Sequence, residues 1–272
     1  MPADAVAASG LYGGGYWAVV RELPALAERH GFTVSPMVCS AGYGLVDFSA
    51  LLKPYAATFS PGCDGVATPG LRGEQRSIVL REWWSELAHC GRPARQTSPR
   101  TIEGIARSSR SASVLIVASP AYVDAMGEDL LRATRAMHDP NRLAIISAPA
   151  GFPGGLERHL VPSQAPLRAE LGGALTSLHA RVARDILEDA DAGKPLDARA
   201  LAKQFRDRVA RCPRSVVPER RSATDQEVLE FISRERLRTP QARHTPLLRL
   251  FRDGGSACEQ SRFRRLFEEA TI

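Results

Sequence analysis

The sequence predicts an α/β fold, a doubly wound parallel sheet sandwiched by helices, followed by a small all-α module. Three observations predict it. Two short apolar runs, "ASVLIVASPAYV" and "RLAIISAPAG", each end in small residues, as buried parallel strands do before a turn. Helical patterns alternate with them, which is the signature of βαβ units. The charge is segregated: residues 200–272 hold 16 Arg or Lys against 10 Asp or Glu, so this quarter carries the whole formal net charge of +6.

Residues 16–30 are helix-like, with Val19, Val20, Leu23, Leu26 and Ala27 on one side and Gly31 as a stop. Residues 32–39 read as a buried strand. A loop from Ser40 to Gly70 follows, then a helix over 72–89 with Ile78, Val79, Trp83 and Leu87 on one stripe. A short helix is expected at 101–107. Val114–Val117 is the clearest strand, expected in the centre of the sheet, and Ser119-Pro120 opens the next helix with Pro at its first position. Residues 142–151 repeat strand then turn, and 174–190 form an amphipathic helix. Ligand sites in such Rossmann-like sheets lie beyond the carboxyl ends of the strands. Those ends carry Ser40-Ala41-Gly42-Tyr43, Ser119-Pro120 and Ser147-Ala148-Pro149. The organisation expected is an α/β domain over 1–195, a helical connector over 196–221 and a basic helical module over 222–272.

In that module a helix after Thr224, a second helix, the Gly254-Gly255 turn and a basic last helix match a helix-turn-helix. The last helix exposes Gln260, Ser261, Arg262, Arg264 and Arg265, while Ala257, Phe263, Leu266 and Phe267 face inward. A plain helical cap has the same pattern, and the net charge favours nucleic acid. Only three basic residues are lysines, and arginine suits bidentate phosphate contacts.

With 44% hydrophobic and 24% charged residues the chain reads as an ordinary soluble protein. No apolar run approaches a membrane span, and no secretory leader is evident. The five cysteines are scattered without a C-x-x-C pair, which fits a reducing, cytoplasmic setting and suggests no structural zinc. Walker A, G-x-S-x-G, H-E-x-x-H and deaminase signatures are missing.

The segment "CSAGYGLVDFSALLKPYAATF", 39–59, carries the strongest chemistry. Gly42 and Gly44 permit a tight turn and close ligand approach. Tyr43 offers a pocket wall, Asp47 a carboxylate, and Tyr55 and Phe59 can return over the same space. Such a set suits a flat heterocycle, although a structural loop with core aromatics has the same spacing. In the later half, His159 lies in a loop-like setting. His179 lies on a helix with Arg181, just after Gly172-Gly173. "LYGGGYW", with its three glycines, is a place where backbone can approach a phosphate.

"SAGYGLVDFSALLKPYAATF" resembles the SAGYGL…PYxxTF pattern of a bacterial and phage family associated with base modification and phage defence. It is similar, more distantly, to an accessory domain of archaeosine-type tRNA-guanine transglycosylases. Both look related to the uracil-DNA-glycosylase fold. Within this group the chain most resembles anti-phage DNA glycosylases that remove glucosylated hydroxymethylcytosine.

The resemblance implies a monofunctional glycosylase acting on a base flipped from double-stranded phage DNA, leaving abasic sites, with no metal or other cofactor and no membrane partner. It implies Asp47 as the water-polarising group, Tyr43 as the wall, Phe59 as the stacking ring and a late-loop histidine, His159, that stabilises the departing base. The glycosylase loop places its aspartate ahead of the tyrosine, so Asp64 in "GCDG" stands as an alternative to Asp47. Ser40, Gly42, Tyr55, Ser119 and His179 complete the expected base-binding set, and Arg181 joins the arginines of the last helix on DNA. The competing functions are a base-exchange transferase and a non-enzymatic DNA-binding regulator that senses a nucleotide.

Overall fold

The computed structural model describes residues 4–213 and 220–270. The chain forms two compact units, Met1–Arg214 and Ser215–Ile272. Their boundary falls within the stretch that the sequence marks as a connector, of which residues 214–219 lie outside the described residues.

The first unit is mixed α/β. It opens with β1 (Val6–Ala7), α1 (Ala8–Leu11), α2 (Gly14–Val20) and α3 (Leu23–Arg29), where Pro24 starts α3 and Gly31 follows its end with φ +85°. Next come β2 (Met37–Ser40), β3 (Gly44–Asp47), β4 (Leu51–Leu52) and the long helix α4 (Gly73–His89). Then follow α5 (Ile102–Ser108), β5 (Val114–Val117), α6 (Pro120–Ala125), α7 (Gly127–Ala136) and β6 (Leu143–Ser147). The unit closes with β7 (Leu160–Pro162), α8 (Arg168–Leu171), α9 (Leu178–Glu188) and α10 (Ala198–Arg211).

A three-stranded parallel sheet, in the order β5-β6-β7, forms the centre. All five residues of β6 are buried, and successive side chains enter opposite cores. Leu143 and Ile145 join Leu80, Trp84, Ile102 and Leu130 on one face. Ala144 and Ile146 join Val182, Ile186 and Phe205 on the other. Helices therefore cover both faces, as the apolar run of β6 demands. Phe205 is fully buried, so α10 is part of this unit's core rather than a free linker helix.

Two expectations about strands are corrected. Val114–Val117 is an edge strand with all four residues half-buried, and the central strand is β6. The segment 32–39 does not join the parallel sheet. Only its end is a strand, β2, which pairs antiparallel with β3 in a tight hairpin, Ser40 opposite Gly44. The cause is local. Gly44 adopts φ +73°, which reverses the chain immediately after Ser40.

The second unit holds β8 (Arg221–Ser222), α11 (Asp225–Arg238), α12 (His244–Asp253), β9 (Ser256–Ala257) and α13 (Gln260–Glu269). Thr224 and Glu227 form a reciprocal capping box at the start of α11. Val228, Ile232, Leu248, Phe251, Phe263 and Leu266 make its own core. The three helices match the expected pattern, but the module is not all-α, because β8 and β9 pair in parallel.

Candidate functional site

The hairpin turn at 41–43 is fixed from four sides. Ser40 Oγ accepts hydrogen bonds from the N–H groups of Gly42 (3.3 Å) and Tyr43 (3.1 Å). Trp83 Nε1 donates to the Ala41 carbonyl at 2.7 Å, and Arg100 Nη2 donates to the Tyr43 carbonyl at 2.6 Å. Arg100 is itself buried and also holds the Leu87 carbonyl.

Around this turn stands an arc of phenols. The Tyr55 hydroxyl shares hydrogen bonds with Ser40 Oγ (2.7 Å) and the Tyr12 hydroxyl (2.9 Å). The Tyr55 ring lies so close to Gly42 that an added Cβ would sit 2.5 Å from it. Tyr43 meets Tyr55 edge-on, and Tyr12 stacks on Trp17 at 4.6 Å. Tyr16 donates its hydroxyl to the Val117 carbonyl at 2.9 Å, which brings the arc to the carboxyl end of β5. There Ser119 precedes α6, and Tyr122 in its first turn packs edge-on against Phe59 at 4.9 Å. Burial pushes the phenols of Tyr12, Tyr16 and Tyr122 upward, and pushes the Cys39 thiol to about 12. These groups stay protonated at neutral pH. The arc is a set of aromatic faces and neutral hydroxyls.

The expected residues divide. Ser40, Gly42, Tyr43 and Tyr55 come together at the turn, and Ser119 lies at the strand end that Tyr16 touches. Phe59 does not line a site: it is fully buried against Trp84 and Tyr122. Asp47 lies in β3, 8% exposed, and its Oδ2 accepts from Thr97 N (2.7 Å), Thr97 Oγ1 (3.0 Å) and Ser98 N (3.1 Å). Burial alone raises its carboxyl pKa, but the bonds from Ser98 and Thr97 outweigh it and hold the group below the ordinary carboxylate range. Asp47 is thus a carboxylate that fastens the 96–98 loop, with Gln96 Oε1 accepting from its own N–H at 2.8 Å.

Asp64 has the opposite setting. It is exposed, and its carboxylate makes no hydrogen bond or ion pair among the described residues. Its carbonyl accepts from Thr58 N at 2.8 Å, which ties its loop to the segment leading into Phe59, and the Thr58 hydroxyl in turn reaches Tyr122.

His159 lies at the wrong end of the sheet. Its Nδ1 bonds the carbonyl of Leu143, the first residue of β6, while its Nε2 accepts from Arg158 Nε at 3.0 Å. Burial first, then the Arg158 charge, lowers its pKa. Burial lowers the pKa of His179, whose buried Nδ1 has no hydrogen-bond partner among the described residues. Arg181 packs its guanidinium over Gly173 and bonds Ser177 Oγ (3.3 Å) and the Leu171 carbonyl (3.4 Å).

In the second unit, Gln260, Ser261, Arg264 and Arg265 of α13 are exposed as expected, while Arg262 is half-buried. The arginines are ion-paired: Arg262 with Asp225, Arg264 with Glu268, and Arg265 with Glu269 and Asp225. Glu259 occupies the N-terminus of α13, accepting from Ser261 Oγ, Ser261 N and Arg262 N, and these bonds lower its carboxyl pKa to about 2. A cleft of about 450 Å³ beside it is lined by Arg220, Arg252, Arg262 and Glu259.

Sequence reasoning missed Tyr12, Tyr16, Tyr122, Gln96 and Arg100. "LYGGGYW" drew notice for its glycines, and an added Cβ on any of the three would meet nothing within 4 Å. The flanking tyrosines are what the segment brings to the arc.

No protein-family model, no curated protein and no solved structure matches the chain.

Proposed function

We propose that the chain is a DNA glycosylase that hydrolyses the N-glycosidic bond of a modified cytosine, a glucosylated hydroxymethylcytosine of phage DNA, on a uracil-DNA-glycosylase-like fold in the bacterial cytoplasm. One observation carries the reading: the arc of neutral hydroxyls and aromatic faces around the Gly42 turn, adjoining the carboxyl end of β5. Aromatic faces stack on an extruded base, and hydroxyl donors read its edge and the hydroxyls of an attached sugar. Bond cleavage gives the sugar oxocarbenium character. A carboxylate nearby stabilises that cation and orients the water that adds to C1′, while hydroxyl donors take up the negative charge of the leaving base. Asp64 is the carboxylate assigned to this step, because Asp47 is buried in β3 with its Oδ2 engaged by Thr97 and Ser98. The exposed arginines of the second unit hold the backbone of the duplex in a salt-sensitive manner.

A non-enzymatic nucleotide sensor is the second reading. It is favoured by the structural roles of Asp47 and His159, two of the three groups from which catalysis was expected. Incubation with modified and unmodified duplex, followed by alkali, separates the two. The glycosylase reading expects strand breaks in modified DNA alone. Binding without breaks supports the sensor.

A further inference from the structure

A cleft of about 460 Å³ opens along α5 and α7, lined by Arg107, Arg110, Arg132 and Arg135 with a single carboxylate, Glu103. The two helices run side by side in the same direction. Asp129 of α7 accepts from Ile102 N and Glu103 N at the start of α5, and Arg110 beyond the end of α5 donates to the Ala136 carbonyl. Glu103 accepts from both Arg107 and Arg132, so one acid orients two guanidiniums. Arg135 makes no hydrogen bond or ion pair among the described residues. Four arginines against one glutamate leave an uncompensated positive lining.

Arg107 and Arg135 lie in the last turns of their helices, where positive charge offsets the helix dipole. That role does not account for Arg110 and Arg132 lining the same space. The side chains are also open to solvent, Arg107 at 70% and Arg132 at 46% exposed. A pocket for a small phosphorylated ligand buries most of its occupant. An open row of arginine forks suits the phosphates of an extended chain.

We infer that the α5–α7 cleft is a nucleic-acid contact on the α/β unit itself, gripping the phosphodiester backbone without reading bases. It lies away from the tyrosine arc, since Arg110 precedes the amino end of β5 and the arc adjoins its carboxyl end.

The test is fluorescence anisotropy of the full-length protein with a short labelled, unmodified duplex over a KCl series. Arg107→Ala/Arg135→Ala is expected to weaken binding roughly tenfold at moderate salt. It should lower the slope of log affinity against log salt by about 2. The Arg107→Lys/Arg135→Lys protein should keep the wild-type slope. Thermal melting by circular dichroism checks that each variant is folded. Wild-type affinity and slope in a folded double-alanine variant would overturn the inference, as would failure of the wild-type protein to bind the duplex. Thermal stabilisation of wild type but not of the double-alanine variant by inorganic tripolyphosphate, with duplex binding equal in both, would replace it with a small-anion site. The duplex carries no modified base and no product is read, so the result is independent of the glycosylase reading.

Discussion

Asp47 accepts three hydrogen bonds on one oxygen from two consecutive residues, Thr97 and Ser98. Truncating it leaves three part-buried donors without their acceptor, a cost of about 1–3 kcal/mol. Chemical denaturation of Asp47→Ala should show that loss. The sign of its pH dependence follows from the lowered pKa. A carboxyl held lower in the folded chain contributes stability fully above its unfolded value, about 3.9, and loses it as pH falls through the folded value. Acid unfolding below about pH 4 should therefore be less steep in Asp47→Asn than in wild type. At this scale the sequence was half legible. Gly42 is needed for a close approach, as its position suggested, but the group that approaches is the Tyr55 ring. Residue type cannot distinguish a carboxylate that awaits water from one already bonded to a loop fifty residues away.

Among elements, the start of α5 is capped by Thr101, whose Oγ1 accepts from Gly104 N at 3.0 Å, and by one side chain from α7. Asp129 accepts from Ile102 N and Glu103 N at 2.9 Å and from Trp84 Nε1 at 3.1 Å, joining α4, α5 and α7 in one buried network. Asp129→Ala should cost about 3 kcal/mol, because three donors, two of them buried, lose their acceptor together. Tryptophan emission should shift as Trp84 loses its bond. Helices were the legible elements, since apolar stripes at helical spacing and caps such as Thr224 lie within one window of sequence. The β2–β3 hairpin was not legible. Gly44–Asp47 is four residues buried on both faces, with no alternation to mark it as a strand. The position of His159 was hidden for a different reason: which end of a strand a loop joins is set by topology, not by local pattern.

At the scale of the molecule, the charge and the two compact units divide the chain differently: residues 215–272 hold 11 Arg against 9 Asp or Glu, +2 of the net +6, and the rest of the excess lies before Ser215, mostly on α10. The second unit has its own buried core of Val228, Ile232, Leu248, Phe251, Phe263 and Leu266. Residues 215–272 expressed alone should therefore unfold cooperatively, with a sigmoidal thermal transition by circular dichroism. A featureless melt would show that this core is insufficient by itself. The strand-end site was legible as a location, because Ser119 does lie where Tyr16 meets β5. Tyr43 and Tyr55 were legible too, from one short segment, but Tyr12 and Tyr16 were not, since their contacts span 43 and 101 residues of sequence.

The most direct measurement is chromatographic detection of free base released from glucosylated hydroxymethylcytosine duplex by wild type and by Asp64→Asn. Wild type should release the base. The Asp64→Asn protein, folded and binding DNA normally, should release it at least about 100-fold more slowly. Release at the wild-type rate by that variant, or no release by wild type, would contradict the assignment of the tyrosine arc and Asp64 as a glycosidic site.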